Sequence, residues 1–128
     1  MSKPDGSPLQ RYLSHLDNGE LAYQYSPAAD RAVFFPRVAC PYTGSEELEW
    51  RVSSGRGVVY STTTVHPAAG EPYNVSLIDC REGFRMMSRV EGIPSAEVKI
   101  GMDVTLRIIP RAGEEPPIPV FVPVEVQS

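Results

Sequence analysis

Arg81, Arg85 and Arg89 recur at every fourth position and form the densest concentration of one chemistry in this 128-residue sequence. In an extended chain successive side chains alternate between faces, so this spacing returns all three guanidiniums to one side. Such a row suits either of two uses. It can be an ion-pair ladder with Glu91 or Glu97, or a docking strip for a phosphate-bearing ligand or an acidic partner, which the guanidinium fork meets with two parallel hydrogen bonds. Asp79 and Glu82 flank the same stretch, and a salt bridge to Arg81 or Arg85 is a better expectation for them than acid–base work. Other reactive side chains are sparse. Cys40 and Cys80 are the only cysteines, His15 and His66 the only histidines, and neither thiol has an imidazole near it in sequence. His66, directly before Pro67, reads as a surface cap rather than a base. No phosphate-cradling glycine loop, nucleophile elbow, paired-histidine zinc motif or Ser-His-Asp grouping occurs.

Lys and Arg total 12 against 16 for Asp and Glu, a net charge of -4. That balance makes nucleic acid an unpromising partner. Lys3 and Lys99 are the only lysines, so the other ten cations are arginines. Two cysteines do not make a disulfide framework and are expected as reduced thiols. No run of eighteen apolar residues appears, and the opening Met-Ser-Lys-Pro-Asp-Gly is too polar for a secretory signal. The expectation is a cytoplasmic protein with no membrane partner.

The elements that must position these residues divide in two. Residues 1–6 are expected to be a disordered start. Over 7–18 the sequence predicts a helix, with Ser7 as cap, Pro8 at the first helical position, Gln10 completing a capping box and Asn18-Gly19 as the stop. Leu9, Tyr12, Leu13 and Leu16 fall at i, i+3, i+4 and i+7 and make one apolar stripe. It can pack on its own domain or serve a partner interface. Residues 19–47 read as short extended pieces, Leu21–Tyr25 and Arg31–Arg37, joined by two tight turns. From residue 48 to 128 the pattern is mainly β. Gly55 and Gly57 open the long β-branched run ending at His66, and Tyr73 to Cys80 alternates Tyr73, Val75 and Leu77 with Asn74 and Ser76. Arg81-Glu82-Gly83 is a corner, and prolines 117, 119 and 123 place the last strand at an edge or make it irregular. Five or six such strands suit a partly open barrel of the OB type.

The order and spacing of several segments carry a resemblance. Phe35-Pro36-Arg37, then Cys40-Pro41-Tyr42-Thr43-Gly44-Ser45, Leu48-Glu49-Trp50, Ser54-Gly55-Arg56-Gly57-Val58-Val59-Tyr60-Ser61, Glu82-Gly83-Phe84-Arg85 and Ile100-Gly101-Met102-Asp103-Val104 together resemble the acyl-CoA-associated OB-fold family. The resemblance implies an N-terminal helix and a rubredoxin-like zinc ribbon ahead of an OB-fold barrel. It also implies a non-catalytic subunit that binds and supports a thiolase-like or hydratase enzyme acting on acyl-CoA, with a contribution to CoA binding. Self-association remains open.

The ribbon's metal ligands in that family are two pairs of cysteines. Their positions here hold Ser26, Ala29, Cys40 and Thr43, which cannot supply the four soft or imidazole donors of tetrahedral zinc. The expectation is therefore a degenerate ribbon with no zinc and no other cofactor, losing on the order of 10 kcal/mol of binding-coupled folding energy. Phe34, Phe35, Tyr23, Tyr25 and Tyr42 are the expected apolar replacement. For CoA, chemistry alone nominates Phe35, Arg37, Arg56 and Arg85, and for the enzyme partner the stripe Leu9, Tyr12, Leu13 and Leu16. The OB barrel alone raises a second reading, single-stranded nucleic-acid binding through stacking aromatics and a basic groove.

Overall fold

The computed structural model describes residues 7–111, 113 and 115–124. The expected disordered start and the last four residues lie outside them. The helix α1 spans Pro8–Asp17, and the Ser7 hydroxyl accepts from the Gln10 backbone N–H at 3.0 Å. One cap bond replaces a donor that the first helical turn leaves unpaired. The helix ends where Gly19 takes φ +79°.

Among the described residues eight strands follow: β1 Ala22–Ser26, β2 Arg31–Val33, β3 Glu49–Val52, β4 Arg56–Val65, β5 Tyr73–Cys80, β6 Arg85–Ser88, β7 Asp103–Ile109 and β8 Ile118–Pro123. They form two antiparallel sheets, β2-β1-β3 and β6-β5-β4-β7-β8. Beyond β6, Val90 bridges Phe121 of β8 in parallel, with Phe121 N donating to Arg89 O at 3.0 Å and Glu91 N to Phe121 O at 2.8 Å. That contact closes the larger sheet as an OB barrel of five strands.

Two features go beyond the sequence reading. A boundary at residue 48 would give β3 to the barrel, but β3 pairs with β1 in the smaller sheet, Ala22 opposite Val52 and Tyr25 opposite Glu49. Its Trp50 stacks on His15 and lies under Arg11, both of α1, so the helix fixes the strand to the ribbon side. On β5 the row turned inward is Asn74, Ser76, Ile78 and Cys80, while Tyr73 is exposed. The polar pair is tolerated inside because it is fully bonded. Asn74 Nδ2 donates to Val90 O at 2.8 Å, Asn74 Oδ1 accepts from Val90 N at 2.9 Å, and the Ser76 hydroxyl bonds Asn74 Oδ1 and Thr62. A buried polar group with every bond made costs little.

The glycines that open β4 have distinct tasks. Gly55 holds φ +83° against Leu106, and a Cβ on Gly57 would lie 2.8 Å from the Asp79 carbonyl oxygen and from Ile78. Only a bare backbone lets β4 and β5 approach this closely. The turn between β3 and β4 is clamped by Glu82, which accepts from the Ser53 hydroxyl and the Ser54 N–H, both at 2.7 Å. Although partial burial pushes its pKa up, these bonds hold the carboxyl below its ordinary value.

One core runs through helix, ribbon and barrel. Tyr12 and Leu16 of α1, Leu21 and Tyr23 around β1, and Val59, Ile78, Phe84 and Phe121 of the barrel are buried in a single cluster. Phe84 is the junction: it stacks on Phe34 at 4.8 Å and meets Tyr23 at 5.0 Å, while Phe34 receives Tyr12 edge-on at 5.7 Å. Phe84→Ala should destabilise the chain by about 3–5 kcal/mol and melt both sheets in one transition. Denaturant unfolding followed by Trp50 fluorescence and far-UV circular dichroism checks this. Separate transitions would show that the two sheets do not share one core.

Candidate functional site

The seam between ribbon and barrel leaves a groove of about 370 Å³ lined by Arg31, Phe34, Tyr42, Asp79, Gly83 and Arg85, among others. The smaller sheet delivers Arg31 at the start of β2, and the second ribbon turn delivers Tyr42. The barrel delivers Asp79 and Arg85 as directly paired residues of β5 and β6. The Arg31 guanidinium lies 3.9 Å above the Tyr42 ring and that of Arg85 3.5 Å above Tyr60. Arg85 Nε also bonds Asp79 Oδ1 at 2.6 Å. That hydrogen bond, together with Asp79's charge, keeps the Arg85 guanidinium charged, its pKa raised against the opposing pull of desolvation. Asp79 is shared with a second groove of about 160 Å³, whose other walls are Arg56, Gly57, Val58, Arg81 and Asp103.

The predicted binding residues are thus divided. Arg56 and Arg85 line adjoining grooves that meet at Asp79. Phe35 is 57% exposed beside Phe34. Arg37 lines a separate groove with Arg11, Gln24 and Trp50, its backbone clamped by Gln24 at 2.7 and 2.8 Å. The arginine row also divides, because Arg89 pairs with Glu91 at 2.6 Å, beyond the end of β6. Sequence reasoning named Arg81 in the arginine row but missed Arg31 as a groove residue. Only folding the smaller sheet against the larger one brings Arg31 beside Arg85.

The apolar stripe of α1 faces inward. Tyr12 and Leu16 are buried in the chain's own core and Leu13 packs against it, leaving Leu9 as the one exposed member at 58%. Burial, with a smaller contribution from Cys80, pushes the Tyr12 hydroxyl up to about 12. Of the expected ribbon aromatics, Phe34 and Tyr23 join the core stack. Tyr42 instead carries Arg31, and Tyr25 carries Arg51 at 3.8 Å while its hydroxyl donates to Asp30.

The four ribbon positions keep the form of two knuckles. Cys40 N donates to Ser45 O at 2.7 Å, Gly44 N to Cys40 O at 2.8 Å and Tyr42 N to the Cys40 sulfur at 3.3 Å, while Ala29 N donates to the Ser26 hydroxyl at 3.3 Å. Ser26 and Cys40 are buried. The donor set does not fit zinc, since one thiol, two hydroxyls and the methyl of Ala29 leave a tetrahedral site incomplete. Hydroxyl hydrogen bonds converge on the thiol instead. Against the upward push of burial, donors from Ser26, Thr43 and the Tyr42 and Thr43 backbone bring the Cys40 thiol down to about 7. Cys80, buried near Glu82 and Asp79, is pushed up to about 12. Neither thiol adjoins a base: His15 is bonded to Glu20 at 2.7 Å and His66 is exposed. Among the described residues no three of His, Cys, Asp or Glu gather to hold a metal ion, and no helix is long and apolar enough to cross a membrane.

Residues 50–108 match the family described as ChsH2, C-terminal OB-fold domain. A DUF35 domain-containing scaffold protein of Pyrococcus furiosus is 29% identical over 108 residues, covering 79% of each chain. Among solved structures, a chain of the Ltp2-ChsH2(DUF35) aldolase superposes with TM-score 0.78 at 28% identity, covering 96% of this chain and 98% of that one. These likenesses support the resemblance to the acyl-CoA-associated OB-fold family, whose OB-fold model matches residues 50–108. A probable enoyl-CoA hydratase alpha subunit of Thermomonospora curvata is 35% identical over 97 residues, 73% of this chain. That stretch spans only 30% of the hydratase subunit's length. The matched residues 50–108 take in β4 to β6 and nearly all of β7 of the larger sheet, together with most of β3.

The Cys40 thiol carries a pH signature. A folded value near 7, against an ordinary 9.0, gives stability that is present above pH 9 and lost as pH falls through 7. The stability difference between the wild type and Cys40→Ala should therefore widen from pH 7 to pH 9, measured by urea unfolding under reducing conditions. A pH-independent difference would show that the hydroxyls do not stabilise the thiolate.

Proposed function

We propose that this chain is a non-catalytic OB-fold subunit that binds and supports an enzyme acting on acyl-CoA, of the hydratase, aldolase or thiolase-like kind. The end-to-end structural likeness to the DUF35 chain of an aldolase assembly carries this reading. The likeness of 97 residues to part of a hydratase subunit supports it from an independent relative. The chemistry agrees, since neither described thiol has a histidine beside it to act as its base. The subunit works without a structural zinc: the shared core around Phe84 and the bonds on Cys40 stand where a metal would otherwise join the knuckles. It also helps to hold the CoA, with Arg56 and Arg85 as contributing cations.

Exposure separates the surface that can meet an enzyme from the surface that cannot. Leu9 and Phe35 project outward, whereas Tyr12 and Leu16 are already committed to the core. Leu9→Asp should leave the melting temperature unchanged and weaken capture of the enzyme, while Tyr12→Ala should cost several kcal/mol of stability, about 3–5 for a buried aromatic.

The deciding experiment is co-purification from native cytosol, with mass spectrometry of the retained protein. A stoichiometric acyl-CoA hydratase, aldolase or thiolase is expected, and its absence would reject the accessory role. Elemental analysis of the same preparation should find zinc far below one atom per chain. One equivalent would reject the metal-free ribbon.

A further inference from the structure

Among the described residues the seam between β6 and β8 is bridged at one pair, Val90 and Phe121, and prolines hold the rest of it open. Cys80 N donates to Phe84 O at 2.8 Å. Along the antiparallel register Met86 and Ser88 therefore turn their N–H and C=O to β5, and Arg85, Met87 and Arg89 turn theirs to the opposite side. There Arg89 O accepts from Phe121 N at 3.0 Å. Two residues earlier the parallel ladder would need Pro119 to donate to Met87 O, and two earlier again it would need Pro117 to donate to Arg85 O. A proline has no N–H. The Pro119 carbonyl instead takes the Ser88 hydroxyl at 3.0 Å, and among the described residues the Met87 N–H and C=O have no backbone partner. The prolines blunt the edge of β8 and leave that of β6 free to pair.

This edge lies beside an apolar groove of about 260 Å³, with Tyr73, Val75 and Met87 contributed by β5 and β6 and Ile118, Pro119 and Val120 by β8. Asn74 and Ser88 also line it, but their polar groups are already bonded to Val90 and Pro119. Met87 is 61% exposed. An exposed apolar side chain beside unpaired main-chain groups suits the addition of a strand.

The rows across the sheet set what that strand must carry. On the outer face Asp79 lies opposite Arg85 and Leu77 opposite Met87, and Arg89 is the next residue of that face. A strand added beyond β6 extends these rows, meeting Met87 with one residue and the two arginines with the residues two positions to either side. Asp79 and Glu91 each lie 2.6 Å from one of these guanidiniums, which keep further donors for a second carboxylate. The Glu91 contact is out of line for a hydrogen bond and leaves Arg89 Nε buried without one. Carboxylates at the flanking positions complement the arginines, and cations there would be repelled. A second copy of this chain cannot supply the pattern, because no two of its acidic residues stand four apart in the sequence.

We infer that the open edge of β6 accepts an extended segment of another protein as an added strand, with an apolar residue beside Met87 and carboxylates two residues before and after it. This goes beyond the accessory role and does not depend on it, since Leu9 and Phe35 line no part of the groove.

Backbone NMR of the full chain, titrated with the acetylated and amidated heptapeptide Ser-Glu-Val-Leu-Val-Glu-Ser, tests the edge; the pattern reads the same in either strand direction. Saturable shifts of the Arg85, Met87 and Arg89 amides are expected, with slowed hydrogen exchange at Met87. A peptide with lysine in place of both glutamates should bind roughly tenfold more weakly, as two cross-strand pairs become repulsive. One N-methylated at leucine has no hydrogen to give Met87 O and should lose most of its affinity. Pro119→Ala supplies that hydrogen from within the chain and should weaken peptide binding severalfold, with the far-UV circular dichroism unchanged. No shift at these amides, equal binding of the lysine or N-methyl peptide, or undiminished binding by Pro119→Ala would each overturn the inference. So would a dimer in sedimentation that the peptide does not dissociate, which would give the seam to a second copy.

Discussion

The stack of Phe34 on Phe84 is the contact on which the rest of this molecule depends. The smaller sheet cannot stand alone: it has three short strands, the shortest of three residues, and such sheets need something to pack on. Phe84 follows the barrel's tightest corner, where Gly83 N bonds Cys80 O at 2.9 Å. The corner aims its ring at the ribbon. With Tyr12 and Tyr23 on the same assembly, helix, ribbon and barrel become one hydrophobic unit. A metal ion that ties two knuckles together acts locally. An aromatic stack between sheets does more, because it also sets where one sheet sits on the other.

Polar groups carry the barrel's interior elsewhere. Asn74 reproduces with its side chain the two bonds that a neighbouring strand would offer Val90. The chain after β6 is thereby held at the angle needed to reach β8. An apolar residue at this position would strand the Val90 amide and carbonyl, and an unpaired buried group costs about 1–3 kcal/mol. Ser76 completes the arrangement through Thr62, so the polar line crosses from β5 to β4 without an unpaired atom. Barrel closure therefore rests on hydrogen bonds at one end and on aromatic packing at the other.

Electrostatics follow from the same seam. The cations are nearly all arginines, and those at the seam are braced on tyrosines rather than solvated freely. Bracing removes rotamer freedom in advance, so a ligand there would not bear that entropy cost. The acidic ribbon edge does the opposite work. Glu49 lies on β3, an outer strand of the small sheet whose partner on the other side is open, and charges on an open edge oppose strand addition by another chain.

By itself the sequence determined the elements whose signals are local. The Ser7 cap, the Asn18-Gly19 stop, the glycine-opened β4 and the corner at Gly83 all follow from backbone demands that only certain residues meet. Tertiary structure decided everything that needed two distant segments at once. Hydropathy alternation marked β5 as a strand without settling which face is the inner one, because nothing local says that Asn74 will find Val90 sixteen residues later. The stripe on α1 was visible, but its occupant was not: Tyr12 and Leu16 turned to the chain's own core because Phe34 and Phe84 were there to receive them. Arg85 could be nominated from spacing. Arg31 could not, since its place beside Arg85 exists only after a β-hairpin and a barrel corner, some fifty residues apart in sequence, have been packed together by the rings between them.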